Sequence, residues 1–221
     1  VKHNSALPGM SLSSIDQNAV PVLKTVGWTI ALWFTAAFTG GLMDAFNQPD
    51  VPPAPLGFFL LVPTGGFIIA YAVSPRLRQA LGQIPLWLIT IAHVWRLVGL
   101  GFVMGTIMHI LPPQFGYPEG LGDFIAAVLC VPLALALRRN RHSPRLRAAF
   151  VAWNVFGLID LVSAITMGIL YSNGPLGVLR SDISTAPMVT FPVHLIPTFF
   201  VPLFILLHLL SLKRSRELTN A

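Results

Sequence analysis

Along this chain, long runs of apolar residues alternate with short polar breaks, and that alternation dominates every other signal. Apolar runs occupy about 22–43, 56–73, 85–110, 119–137, 148–171 and 188–211. A helix rises about 1.5 Å per residue, so each run is long enough to cross roughly 30 Å of hydrocarbon. The breaks carry turn chemistry: "NQPDVPPAP", "SPRLRQALG", "LPPQFGYPEG", "RRNRHSPRLR" and "SNGPLGVLRSDISTAP". The proline of "YPEG" suits the first turn of the fourth run, where the missing N–H costs nothing. The pattern predicts an all-α integral membrane protein. Its six transmembrane helices form three hairpins, after a polar segment at 1–21 and before a basic tail at 212–221. The first 21 residues lack a short apolar core ending in small residues, so the first run reads as an uncleaved span.

Composition agrees. Hydrophobic residues make up 54% and charged residues 10%, with mean hydropathy +0.73, which is too little charge to cover a soluble domain of this length. A net charge of +6 would point to nucleic acid in a soluble protein. Here the basic residues stand in the breaks and act as orientation signals instead. By alternate breaks, one side holds Lys2, Lys24, Arg76, Arg78, Arg138, Arg139, Arg141, Arg145, Arg147, Lys213, Arg214 and Arg216, and the other holds Arg180. That bias puts both termini in the cytoplasm, in a multi-pass protein of a bacterial inner membrane whose immediate partner is the lipid bilayer. Trp28, Trp87 and Trp153 fall near span starts, where an amphipathic ring suits the interface. Cys130 is the only cysteine, which excludes an intramolecular disulfide and a multi-cysteine metal cluster. The short echoes "LVPT"/"LIPT" and "CVPL"/"FVPL" need nothing beyond chance in so apolar a chain.

Two charges break the apolar pattern. Arg96 lies near the middle of the third span and Asp160 near the middle of the fifth. A charge at the bilayer centre costs roughly 2.5–3.5 kcal/mol on insertion scales, so such residues face the bundle interior and pair. The expectation is that Arg96 and Asp160 meet, with no second acid beside them. At about 100° per residue His93, Gly99, Leu100 and Val103 share the Arg96 face, while Asn154 points about 120° away from Asp160 and needs its own partner. "GFVMG", Gly101 to Gly105, is a small-residue pattern that admits a close neighbour helix. Asp123 and Glu119 read as N-terminal helix carboxylates near the outer surface, favoured by the helix dipole. In the sixth span Pro192, Pro197 and Pro202 crowd the carbonyls of Met188, Val193 and Thr198, which then kink the helix or line a wet cavity.

Four histidines, His93, His109, His194 and His208, fall in or at the edges of spans three and six. The layout resembles that of di-haem membrane cytochromes b, in which paired histidines hold one haem near each surface. That resemblance implies haem b as cofactor. On straight helices, however, His194 and His208 share a face about 21 Å apart, whereas His93 and His109 differ by about 160°. A single inner site formed by His93 and His208 is the haem arrangement that survives. No "HExxH", "GxSxG" or "GxxxxGK[ST]" is present, and no acid cluster suggests a metal site.

The function expected is therefore binding or movement of a small solute or ion, proton-coupled, in a polar cavity between spans three, five and six. In that reading Arg96 holds an anionic group or acts as counter-charge, Asp160 takes the exchangeable proton or a cation, and His93 tunes the site. Asn154 and Thr198 complete the polar lining. The alternative is an accessory subunit whose polar residues only keep its helices in register. Six short spans suit a complete unit or one half of a homodimer equally.

Overall fold

The computed structural model describes residues 16–48, 52–139, 143–179 and 181–218. Lys2, Arg141 and Arg180 of the charge count, and the polar segment before residue 16, lie outside them. The described residues are helical with no strand. Six helices are long and apolar enough to cross a membrane: α1 (Ala19–Leu42), α2 (Ala54–Val73), α4 (Leu86–Ile107), α5 (Pro113–Arg139), α6 (Pro144–Leu170) and α7 (Ile196–Leu218). A short amphipathic helix, α3 (Pro75–Gly82), joins α2 to α4.

Local chemistry fixes the boundaries. The pentapeptide SPRLR occurs twice, at 74–78 and 143–147, and opens α3 and α6 in the same way. Ser74 and Ser143 adopt extended backbone, their side chains accept from Leu77 N–H and Leu146 N–H, and the following proline takes the first helical position. Two spans begin elsewhere than the apolar runs suggest. Pro113, rather than Pro118, opens α5, which lengthens that helix by more than a turn at its start. The last span starts late: residues 190–194 form a bend and turns behind a short 3-10 stretch at Ala186–Val189, because Pro192 and Pro197 deny the backbone the donors a helix needs there. It resumes as a π turn at Ile196–Phe200 and runs as helix through Leu218, into the segment expected to be a tail.

Helix α5 packs along α4 on one side and against α6 on another, and α6 packs against α7. Helix α2 packs on α7, and α1 packs on α3 and on the π turn of α7. Glycines set the α4–α5 spacing. A Cβ at Gly120 would lie 2.7 Å from the Gly99 carbonyl oxygen and 2.7 Å from Val103 Cγ2, and one at Gly116 would lie 2.8 Å from the Phe102 carbonyl and collide with Thr106 Oγ1. The pair expected to serve this purpose behaves differently: Gly101 has nothing within 4 Å, and Gly105 meets only Leu111.

Two apolar clusters lie one above the other. One, at the end carrying the basic breaks, gathers Leu77, Leu81, Leu137, Phe150, Trp153 and Leu210. The Arg138 guanidinium stacks 5.4 Å above Trp87 at this end. Here too Arg214, 8% exposed, donates to the carbonyls of Leu81, Gly82 and Ile84 at 2.6–3.0 Å and pairs with Glu217. The other cluster gathers Phe102, Leu111, Phe115 and Met188 toward the opposite end. The candidate site lies between them.

Candidate functional site

The middle of α4 is wound as a 3-10 helix from Ala92 to Gly99. Three residues per turn place side chains i and i+3 directly above one another. Thr90, His93, Arg96, Gly99 and Phe102 accordingly form one buried stripe, while Trp95, Leu97, Val98 and Leu100 face outward. A 3.6-residue period had put Leu100 on the Arg96 face; the tighter winding carries it away.

Arg96 is 1% exposed, and three helices meet it. Its Nε donates to Asp123 Oδ1 of α5 at 2.6 Å, its Nη2 donates to Asp160 Oδ2 of α6, and its Nη1 donates to His208 Nε2 of α7 at 3.2 Å. The arginine and Asp160 thus meet as an ion pair between spans three and five. The expectation of a single acid is corrected, because Asp123 makes a second ion pair with the same guanidinium. Since α5 starts at Pro113, Asp123 stands almost three turns inside the helix and not at its N-terminus. Glu119, one turn before it on α5, is 2% exposed and accepts from Ser163 Oγ at 2.7 Å. Ser163 follows Asp160 by three residues on α6, so a third carboxyl group stands next to the two ion pairs of the guanidinium.

Small residues make this possible. A Cβ at Gly99 would strike Asp123, one at Gly122 would strike Asp160, and one at Gly157 would strike the His208 ring and lie 3.0 Å from Arg96 Nη1. Each glycine lies where a charged or aromatic side chain presses against a neighbouring backbone.

Arginine only donates, so His208 Nε2 is the acceptor, and its N–H sits at Nδ1, which donates to Asn154 Oδ1 at 2.9 Å. Asn154 Nδ2 in turn donates to the Phe150 carbonyl. The partner Asn154 was expected to need is therefore His208, through which it supports Arg96. His93 directs Nδ1 at the carbonyls of Ile89 and Thr90, and its buried Nε2 has no hydrogen-bond partner within 3.5 Å among the described residues. Its ring lies 4.2 Å from that of His208, centroid to centroid.

The remaining predicted residues lie elsewhere. Thr198 donates to the His194 carbonyl, and its own carbonyl, the one crowded by Pro202, accepts from Trp33 Nε1 of α1 at 3.1 Å. An indole from another helix thus satisfies that freed carbonyl. His194 Nε2 faces the Ala37 carbonyl, with its ring stacked on Phe46 and pressed against Gly41. His109 is exposed and closes α4 in a left-handed conformation, φ 57°. His93 and His208, the pair left for a single inner haem, are in ring contact, and both His208 nitrogens are bonded, so no gap for a haem stands between these two.

A cavity of about 130 Å³ runs from the end opposite the basic breaks down to Asp123. Asn47, Gln48, Ser172 and Thr185 stand at its mouth, and deeper down the walls are apolar. Ile196, Pro197 and Val201 of the kinked last span form one side. The sequence had given the cavity to spans three, five and six; span four supplies the charged residue that reaches it.

A model of one family matches residues 53–216, which carry α2 to α7 and every residue of the Arg96 cluster. The chain belongs to the family described as Domain of unknown function (DUF8737). Helix α1, with Trp33 and Ala37, lies before the DUF8737 match. No curated protein and no solved structure matches the chain.

Proposed function

We propose that this is a multi-pass membrane protein that binds and moves a small solute, coupled to a proton or cation, at the Arg96 cluster. Charge balance is the observation that carries this reading. Asp123 and Asp160 pair with one guanidinium, buried Glu119 stands one turn away on α5, and complete ionisation would leave two negative charges in excess in a buried volume. Such an excess is held in an apolar interior only when a proton or a cation makes up the difference. The cavity gives a solute access to Asp123. Arg96, with each of its nitrogens turned to a protein partner, serves as the counter-charge that organises the carboxyls rather than as the holder of an anion. His208 and Asn154 hold the guanidinium in place, and His93 lies against His208.

The topology completes the proposal. The biased charge count and the basic residues gathered at one end support cytoplasmic termini, with the spans read as three hairpins and the cavity opening outward. A bacterial inner membrane fits this arrangement. A second reading has its own support. Complete burial of Arg96 within an interlocked set of glycines and hydrogen bonds also suits an accessory subunit whose charges only fix helix register.

Flux separates the two. The purified protein, reconstituted in liposomes containing a pH-reporting dye and placed under an imposed potassium diffusion potential, should show proton or cation movement. Asp160→Asn should abolish that movement while leaving a folded protein. If the parent is silent, or Arg96→Ala/Asp160→Ala moves ions as the parent does, the carrier reading falls and the register reading takes its place.

A further inference from the structure

The chemistry of the cavity identifies what kind of solute it fits. Its deep walls are Phe102, Phe115, Leu161, Ile165 and Met188, and Asp123 is the charged side chain at its base. Asp123 is 9% exposed. One of its oxygens accepts from Arg96, and its other oxygen accepts no hydrogen bond among the described residues. The two phenylalanine rings lie 5.5 Å apart, centroid to centroid, and line the same cavity as that carboxylate. Aromatic faces attract a desolvated cation, and so does a carboxylate with a free lone pair. An anion is disfavoured twice over, by the two-charge excess of acid and by a guanidinium already engaged with the protein. The volume sets the size. An apolar cavity of about 150 Å³ accepts a benzene molecule, so this one accepts a single ring or a short branched chain.

We infer that the cavity is a binding site for a small organic monocation, an ammonium group carried on one aromatic ring or an equally small apolar body. The ammonium donates to the free oxygen of Asp123, and the apolar part lies against Phe102 and Phe115. This assignment rests on the carrier reading for its physiological sense, but binding can be measured without transport.

The test uses the whole protein in detergent and radiolabelled phenethylamine, with saturable binding measured by equilibrium dialysis. Phenethyl alcohol and 3-phenylpropionate serve as neutral and anionic competitors of similar shape. Phenethylamine should bind saturably, with each competitor at least about tenfold weaker. Asp123→Asn should lose this binding. Because Asp123→Asn also disturbs Arg96, a second variant keeps the ion cluster whole: Ala164→Leu, on the cavity wall, fills the space with an apolar side chain and should abolish binding in a normally folded protein. Competition by the alcohol as strong as self-competition would show that the charge is not read, and overturn the inference. So would parent-like binding by Ala164→Leu, which would put the ligand outside the cavity. Saturable amine binding without ion flux would sink the carrier reading alone, and flux without amine binding would sink the solute assignment alone.

Discussion

Replacing Arg96 with methionine tests the cluster most directly. Methionine keeps most of the side-chain length and removes the charge. The structure fixes what is lost: two charge-assisted hydrogen bonds, to Asp123 and Asp160, and one to His208. At about 1.5–3 kcal/mol for each bond to a charged group, the two carboxylate contacts alone contribute about 3–6 kcal/mol. Removing one partner from a buried ion pair costs about 3–5 kcal/mol, because it strands the opposite charge. The ranges overlap near 4 kcal/mol, close to three powers of ten in the folded-to-unfolded ratio. The triple variant Arg96→Met/Asp123→Asn/Asp160→Asn removes the stranded carboxylates as well, and should recover most of that loss. Tryptophan fluorescence during titration with a denaturing detergent reads both midpoints. The reasoning fails if Arg96→Met unfolds at the parental midpoint, or if the triple variant is no more stable than the single one.

Three further substitutions probe the surroundings. Gly157→Ala should destabilise by about 1–2 kcal/mol in the same titration, since a Cβ there meets His208 and Arg96, and overpacking of about 1–3 kcal/mol outweighs a helix-propensity gain of at most about 1 kcal/mol. Gly101→Ala, with open space around it, should be neutral or more stable by up to about 1 kcal/mol, and a loss equal to that of Gly157→Ala would contradict the packing described. Arg214→Lys should lower the midpoint by about 1–3 kcal/mol, because a single ammonium cannot reach three carbonyls and Glu217 together; an unchanged midpoint would show that this clamp contributes nothing.

The six long helices were legible because hydrocarbon thickness imposes a length and an apolarity that composition alone reveals. The meeting of Arg96 with Asp160 was legible for a related reason: isolated charges in apolar runs have few places to go. Asp123 was not, and the cause was one boundary. With the fourth span opened at Pro118, Asp123 falls in the first turns, where a carboxylate needs no partner. Opened at Pro113, the same residue stands deep in the helix. The stripe Gly116, Glu119, Gly120, Asp123, in which small residues alternate with acids on one face, was the signal that carried it. The Arg96–His208 bond was out of reach, because nothing local tells which of several buried histidines a distant helix will present. The wrong assignment of Leu100 came from the assumed period, since sequence does not mark where α winding gives way to 3-10.

That change of winding has a mechanical consequence. Eight residues in the narrower 3-10 winding extend about 16 Å along the axis, against about 12 Å in an α-helix, and turn by about 160° more. Relaxing Ala92–Gly99 to α winding would draw the two halves of α4 together by about 4 Å and rotate one against the other by about 160°. The element that carries Arg96 thus couples axial travel to rotation at the depth of its ion pairs with Asp123 and Asp160.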